Sequence, residues 1–143
     1  MEKNTENIVR ELIALNMERM YLYQNAKELV NATEMRQYLA GIAAQSEGYV
    51  MELEYIIRMY EGSIGRAASH KMGNAPFGNA RQEKQSEHSI LLQLFNNEKK
   101  AMETYDSLLA NGSELDNNLF ERIRAQQSEL RECRLKLEKL IGG

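Results

Sequence analysis

Glu98 is the residue of this chain whose placement most invites chemistry. It falls inside a helical stripe formed by Leu91, Leu94, Ala101, Tyr105 and Leu108, where an unpaired carboxylate costs several kcal/mol. Three other stripes carry polar residues near their middles. The first holds Asn16 and Arg19, the second Ser46 with Gln45 and Glu47 beside it, and the fourth Gln126 with Gln127. Two chemistries suit such a set. One is a buried polar layer of Asn16, Arg19, Ser46, Glu98 and Gln126 that fixes helix register, with Arg19, Gln126 and Tyr105 expected to satisfy Glu98. The other is a ligand or metal site at the centre of a helical bundle.

Counting ligands separates the two. A di-iron carboxylate site takes a Glu from each of two helices and a Glu-x-x-His from each of the other two. The i, i+3 spacing puts both groups on one face. Here Ala67 stands three residues before His70 and Gln85 three before His88, so no Glu-x-x-His occurs. The second stripe offers Ser46 with Tyr49 or Glu47 with Val50. The fourth offers Gln126 with Glu129 or Glu129 with Glu132. Only Glu98 stands at a ligand position. The expectation is no metal, no cofactor and no catalytic residue. The alternative is an atypical carboxylate site for iron or manganese, built by Glu98 with Glu47 and Glu129. The last two lie one residue off their stripes, which argues against it.

Other reactive residues read as structure. Cys133 lies in the fourth stripe with no His near it on that helix, as a small core residue does. GSIGRAAS at 62–69 lacks both the flanking strand and the spacing of a phosphate loop. Arg122, Arg124, Arg131, Arg134, Lys136 and Lys139 interleave with Glu121, Glu129, Glu132 and Glu138. That is a solvated face with i, i+3 and i, i+4 pairs, and no stripe for nucleic acid. His70 and Lys71 are candidates for partner contact.

These groups must be positioned by four helices, expected at about residues 5–31, 34–60, 85–110 and 114–141. Ile8, Leu12, Leu15, Arg19, Leu22, Ala26 and Leu29 make the first stripe. Leu39, Ile42, Ser46, Tyr49, Leu53, Ile56 and Tyr60 make the second. Leu119, Ile123, Gln126, Leu130, Cys133, Leu137 and Leu140 make the fourth. Thr33 and Ser113 are expected N-caps and Gly62 a stop. Short connections near Thr33 and Gly112 make two antiparallel hairpins. The middle connection, about residues 61–84, holds Gly62, Gly65, Gly73, Pro76 and Gly78. At ~3.3 Å per residue it is long enough to cross a helix of ~37 Å. The expected fold is all-α, one domain over residues 1–143, a ferritin-like four-helix bundle with one long crossover between helices two and three.

Composition narrows the role. A formal charge of −3 and a sequence pI of 5.5 argue against binding driven by nucleic-acid phosphates. The single Cys excludes an internal disulfide framework and fits a reducing compartment. The polar start MEKNTENIVREL is no signal peptide, and no run approaches the ~18 apolar residues of a span. A cytoplasmic protein without membrane attachment is expected. Tyr21, Tyr55, Met17, Met51 and Met59 fall off the stripes and suit a partner surface, favouring a homodimer.

Three segments in order carry a resemblance. ELIALNMERMYLY at 11–23 places Asn16 and Glu18. GSIGRAASHKMGN at 62–74 places His70 and Lys71. NEKKAMETY at 97–105 places Glu98 and Tyr105. With these the chain resembles a bacterial family of ferritin-like four-helix bundles, a domain of unknown function. The likeness covers about residues 9–141. The family's crossover turn is His-Arg-x-Trp-like; here Lys71 takes the Arg place and the Trp is missing. The resemblance implies the ferritin-like fold and no assigned activity. The expected role is that of a structural, stress-related or interaction protein acting as a homo-oligomer. A metal-binding oxidoreductase or metal-storage protein around Glu98 is the alternative.

Overall fold

The computed structural model describes residues 3–61, 86–113 and 115–142. Among them are four helices and no strand: α1 (Lys3–Leu29), α2 (Thr33–Glu61), α3 (Glu87–Ala110) and α4 (Asn117–Gly142). The expected crossover, the stop at Gly62, and His70 and Lys71 lie outside the described residues. No helix is long and apolar enough to cross a membrane, among the described residues.

Helix starts follow local capping chemistry, and two differ from expectation. Ser86 caps α3: its backbone is extended, and its hydroxyl accepts from the Ser89 N–H at 3.0 Å. Thr33 is already helical, and the Arg36 N–H bonds the Ala32 carbonyl at 2.9 Å, so Thr33 is no N-cap. Nor does Ser113 cap α4. The Leu115 N–H bonds back to the Gly112 carbonyl at 3.0 Å, and Leu115 is buried in the core. That turn delays the helix, and Asp116 takes the cap, its Oδ1 accepting from the Leu119 N–H at 2.9 Å. Gly112 leaves room for Leu115 there. A Cβ would stand 2.7 Å from Leu115 Cδ1 and 3.2 Å from the Leu108 carbonyl oxygen.

Helix directions follow from which residues meet. α1 packs against α2 and α3, and α3 against α4. Along α1, Asn4 bonds Asn111, Asn16 bonds Tyr105 and Tyr23 bonds Glu98, so α1 and α3 are antiparallel. Arg19 meets Gln45 and Ser46 while Arg36 reaches the Lys27 carbonyl, so α1 and α2 are antiparallel as well. Tyr49 bonds Glu129 and Glu52 bonds Arg122, which opposes α2 to α4. α2 and α3 therefore point the same way.

The apolar core is divided. One cluster gathers Ile8, Leu12, Ile13, Leu53, Ile57, Leu119 and Ile123 with their neighbours. The other gathers Leu22, Ala26, Leu39, Ile42, Ile90, Leu94 and Leu137. Asn16 and Arg19 on α1, Ser46 on α2 and Glu98 on α3 stand between them in sequence, Gln126 falls within the first cluster's stretch of α4, and all five are buried. Two stripes drift towards their C-terminal ends. Ile57 is buried where Ile56 was expected, and Leu140 is 36% exposed. An ideal helix rotates ~20° per heptad against a strict seven-residue repeat, so a stripe drawn over three heptads ends off centre. Leu15, Leu29 and Leu108 are half-buried.

Candidate functional site

The polar layer is one hydrogen-bonded system centred on Arg19. Its Nε donates to Glu98 Oε1 at 2.6 Å and its Nη2 to Oε2 at 3.2 Å, a two-pronged grip on the carboxylate. Its Nη1 donates to Ser46 Oγ at 2.7 Å and to Gln45 Oε1 at 2.9 Å. A longer contact of 3.5 Å joins Nη2 to Cys133 Sγ. A guanidinium carries five N–H donors, so these partners use them all. The pair is dry: the Arg19 side chain is 4% exposed and that of Glu98 1%.

Glu98 draws its third bond from a residue the sequence did not nominate. Tyr23 OH donates to Glu98 Oε1 at 2.8 Å, where Tyr105 and Gln126 were expected. Helix rotation explains the exchange. Tyr23 lies four residues beyond Arg19, on the same face of α1. Tyr105 lies seven residues beyond Glu98 on α3, about two turns away, and serves another part of the layer. Its OH receives Asn16 Nδ2 at 2.8 Å and donates to Gln126 Oε1 at 2.8 Å. Ser46 Oγ donates to Asn16 Oδ1 at 3.1 Å, which links the two halves. Gln126 Nε2 then donates to Glu52 Oε1 at 3.1 Å, and Glu52 also bonds the exposed Arg122. The chain of bonds therefore runs from the buried carboxylate to the surface across all four helices. Asn16 and Gln126 are amides, which hold dipoles in place and relay no proton under ordinary conditions.

The protonation states follow from this packing. Burial works against the Arg19 charge, but the adjacent Glu98 carboxylate outweighs it and holds the guanidinium above its usual range. Burial pushes the Tyr23 phenol well above its ordinary value, with the Glu98 charge adding to the effect. Tyr105 is pushed up to about 12, mainly by burial. Burial also raises the Cys133 thiol, which disfavours the reactive thiolate.

The residues present do not fit a di-metal centre. Both Glu98 oxygens already face the Arg19 guanidinium, the buried groups around the pair are neutral hydroxyls, amides and a thiol, and Glu52 at the layer's outer end is bonded to Arg122. Arg19 and Glu98 cancel one another's charge. Two dications in their place would face a single carboxylate. Glu47 and Glu129 are exposed rather than turned into the layer, and Glu129 accepts from Tyr49 OH on the bundle's side. His88 is exposed in the first turn of α3. Among the described residues no three His, Cys, Asp or Glu side chains are grouped to hold a metal ion. A small cavity of about 200 Å³ approaches the pair between α1 and α3, with Glu18, Asn97, Lys100 and Thr104 on its walls.

The sequence placed Gln45 beside Ser46 and missed Tyr23 and Glu52 as members of the layer. Of these, Tyr23 carried a usable signal, being i+4 to Arg19. Met17 and Tyr21, expected on a partner surface, are half-buried, and Met17 packs against the core. Met51, Tyr55 and Met59 are 65%, 59% and 64% exposed. No protein-family model, curated protein or solved structure matches this chain.

Proposed function

We propose that the protein is a ferritin-like bundle that works without a metal centre, as a structural interaction protein that associates with itself. The observation that carries the reading is the Arg19 guanidinium, which grips both oxygens of Glu98, the one buried carboxylate among the described residues, and has each remaining N–H engaged. A cation that is part of the chain takes the central position, so the layer neither needs an added metal nor offers it a vacant ligand. The common direction of α2 and α3 supports the topology. The ferritin-like arrangement sets its second and third helices in a common direction in the same way. A buried, charge-balanced layer of this kind specifies register and partners of helices rather than a reaction. Exposed apolar side chains on α2 support the self-associating part of the reading. A single cysteine, buried as a thiol, suits a cytoplasmic protein.

The test is metal content together with thermal stability. Untagged protein is exposed to Fe(II) and Mn(II), desalted and analysed for metal. In parallel it is melted with and without a chelator. The expected result is far less than one metal per chain and a melting temperature unmoved by chelation. About two metals per chain, lost on Glu98→Gln, would overturn the reading.

A further inference from the structure

We propose that the exposed face of α2 is an isologous dimer interface, on which a second copy of this chain packs antiparallel across a two-fold axis near residues 52–53. The inference rests on the self-associating part of the proposed function and names its surface.

Met51, Tyr55 and Met59 are the most exposed large apolar side chains among the described residues, and all three lie on one face of α2. The stripe continues towards the N-terminus through Gly48, Ala44 and Gly41, all exposed. Nothing lies within 4 Å of a Cβ built on Gly41 or Gly48. So one half of the face presents large side chains and the other half presents space. No charge interrupts it, although 27% of the chain is charged. Beside Tyr55 and Met59 a groove of about 350 Å³ extends the patch onto the first turns of α4, at Asn118, Leu119 and Arg122.

The charges that border the stripe select the occupant. Glu47 and Arg58 are exposed on the same edge of the stripe. Neither makes an ion pair or hydrogen bond with the described residues. They stand eleven residues apart, about 16 Å along the helix. A two-fold axis midway between them, perpendicular to α2, sets each Glu47 against Arg58 of the second copy, and does so twice. The same operation brings Met51 of each copy level with Tyr55 of the other around the axis. It lays each Met59 over the gap between Ala44 and Gly48 of the second copy. A symmetric partner thus pairs both unpaired ions and fills the open half with the large half. An unrelated partner would have to supply both features independently.

Sedimentation velocity on the full chain over a range of concentrations tests this. Wild type is expected at twice the 16.5 kDa chain mass. Glu47→Arg and Arg58→Glu each set like charges against one another and should weaken the dimer about tenfold or more. The double variant Glu47→Arg/Arg58→Glu restores both pairs in reverse and should return to within about threefold of wild type. Tyr55→Glu should dissociate the dimer outright. Melting curves of the charge variants under dissociating conditions should match wild type, because neither residue has a partner among the described residues. A wild type that stays monomeric at the highest concentration overturns both this interface and the self-association on which it rests. An oligomer indifferent to all four variants, or a double variant no better than the singles, overturns the α2 interface alone and leaves self-association standing.

Discussion

Glu98→Ala is the perturbation that weighs most on the buried layer. The substitution removes the acceptor for three hydrogen bonds: Arg19 Nε at 2.6 Å, Arg19 Nη2 at 3.2 Å and Tyr23 OH at 2.8 Å. It leaves a guanidinium 4% exposed and a phenol with no exposure at all. Removing one partner of a buried ion pair costs about 3–5 kcal/mol. Stranding a buried neutral donor such as Tyr23 OH adds about 1–3 kcal/mol where the side chain cannot turn to another acceptor. Some of this is recovered, because the cavity between α1 and α3 borders both Arg19 and Glu98 and gives water a route to the freed charge. The expected loss is about 4 kcal/mol, a large share of the ~5–15 kcal/mol that holds a domain folded. The double variant Arg19→Met/Glu98→Leu separates pairing from burial. It removes both charges together and should cost less than the sum of the single losses, with a residue of about 1–2 kcal/mol because Tyr23, Ser46 and Gln45 lose their partner. Urea denaturation followed by circular dichroism measures each value. Glu98→Ala within about 1 kcal/mol of wild type would refute the claim that the pair is desolvated and mutually dependent.

Two further perturbations probe the layer and the α3–α4 turn. Tyr105 is neutral when folded, with its pKa raised from 10.0 to about 12, so its contribution to stability is complete below pH 10 and is lost as pH rises towards 12. About 2–3 kcal/mol should disappear across that window, and Tyr23, raised by burial as well, adds to the loss. Urea midpoints that stay level through this range would show that these phenols are not held neutral by the fold. Gly112→Ala should destabilise by about 1–2 kcal/mol, because the new methyl meets Leu115 Cδ1 at 2.7 Å and the Leu108 carbonyl oxygen at 3.2 Å. An unchanged urea midpoint would mean that Leu115 moves aside at no cost.

Much of the architecture is legible in apolar spacing. Repeats at three and four residues mark the helices because burial requires one face, and burial dominates their stability. The polar residues in mid-stripe are legible for the same reason: Asn16, Arg19, Ser46, Glu98 and Gln126 break an otherwise apolar pattern at a common height. What spacing does not carry is which partner each one chooses. Tyr105 lies in the α3 stripe and Tyr23 beside the α1 stripe, and the relative rotation of α1 and α3 lets the second reach Glu98 while the first bridges Asn16 to Gln126. Glu52 was hidden for a related reason. Like Gln45, it sits at the edge of the α2 stripe, where a long side chain reaches inward from a half-exposed backbone position. The start of α4 was misplaced because Ser113 has the right chemistry for a cap, while the tight turn that buries Leu115 shifts the first helical turn onward to Asp116. Local propensity names the capable residues, and tertiary burial chooses among them.

The division of the core gives the polar layer its physical role. Four amphipathic helices with uniform apolar stripes would tolerate sliding by a turn, since one Leu–Ile contact is worth much the same as another. With the layer in place, moving α1 one turn past α3 carries Arg19 ~5.4 Å away from Glu98 and sets both ions against the apolar side chains that now flank them. The cost is again that of a broken buried pair, about 3–5 kcal/mol, and Asn16, Ser46, Tyr105 and Gln126 lose partners at the same time. A metal at the centre of such a bundle would pin the helices in the same way, but only when metal is bound. Arg19 supplies the pinning charge from the chain itself, so the register is fixed on folding and does not vary with metal supply. Under the function proposed above, that is the condition for the outer faces, α2 above all, to present the same surface at all times.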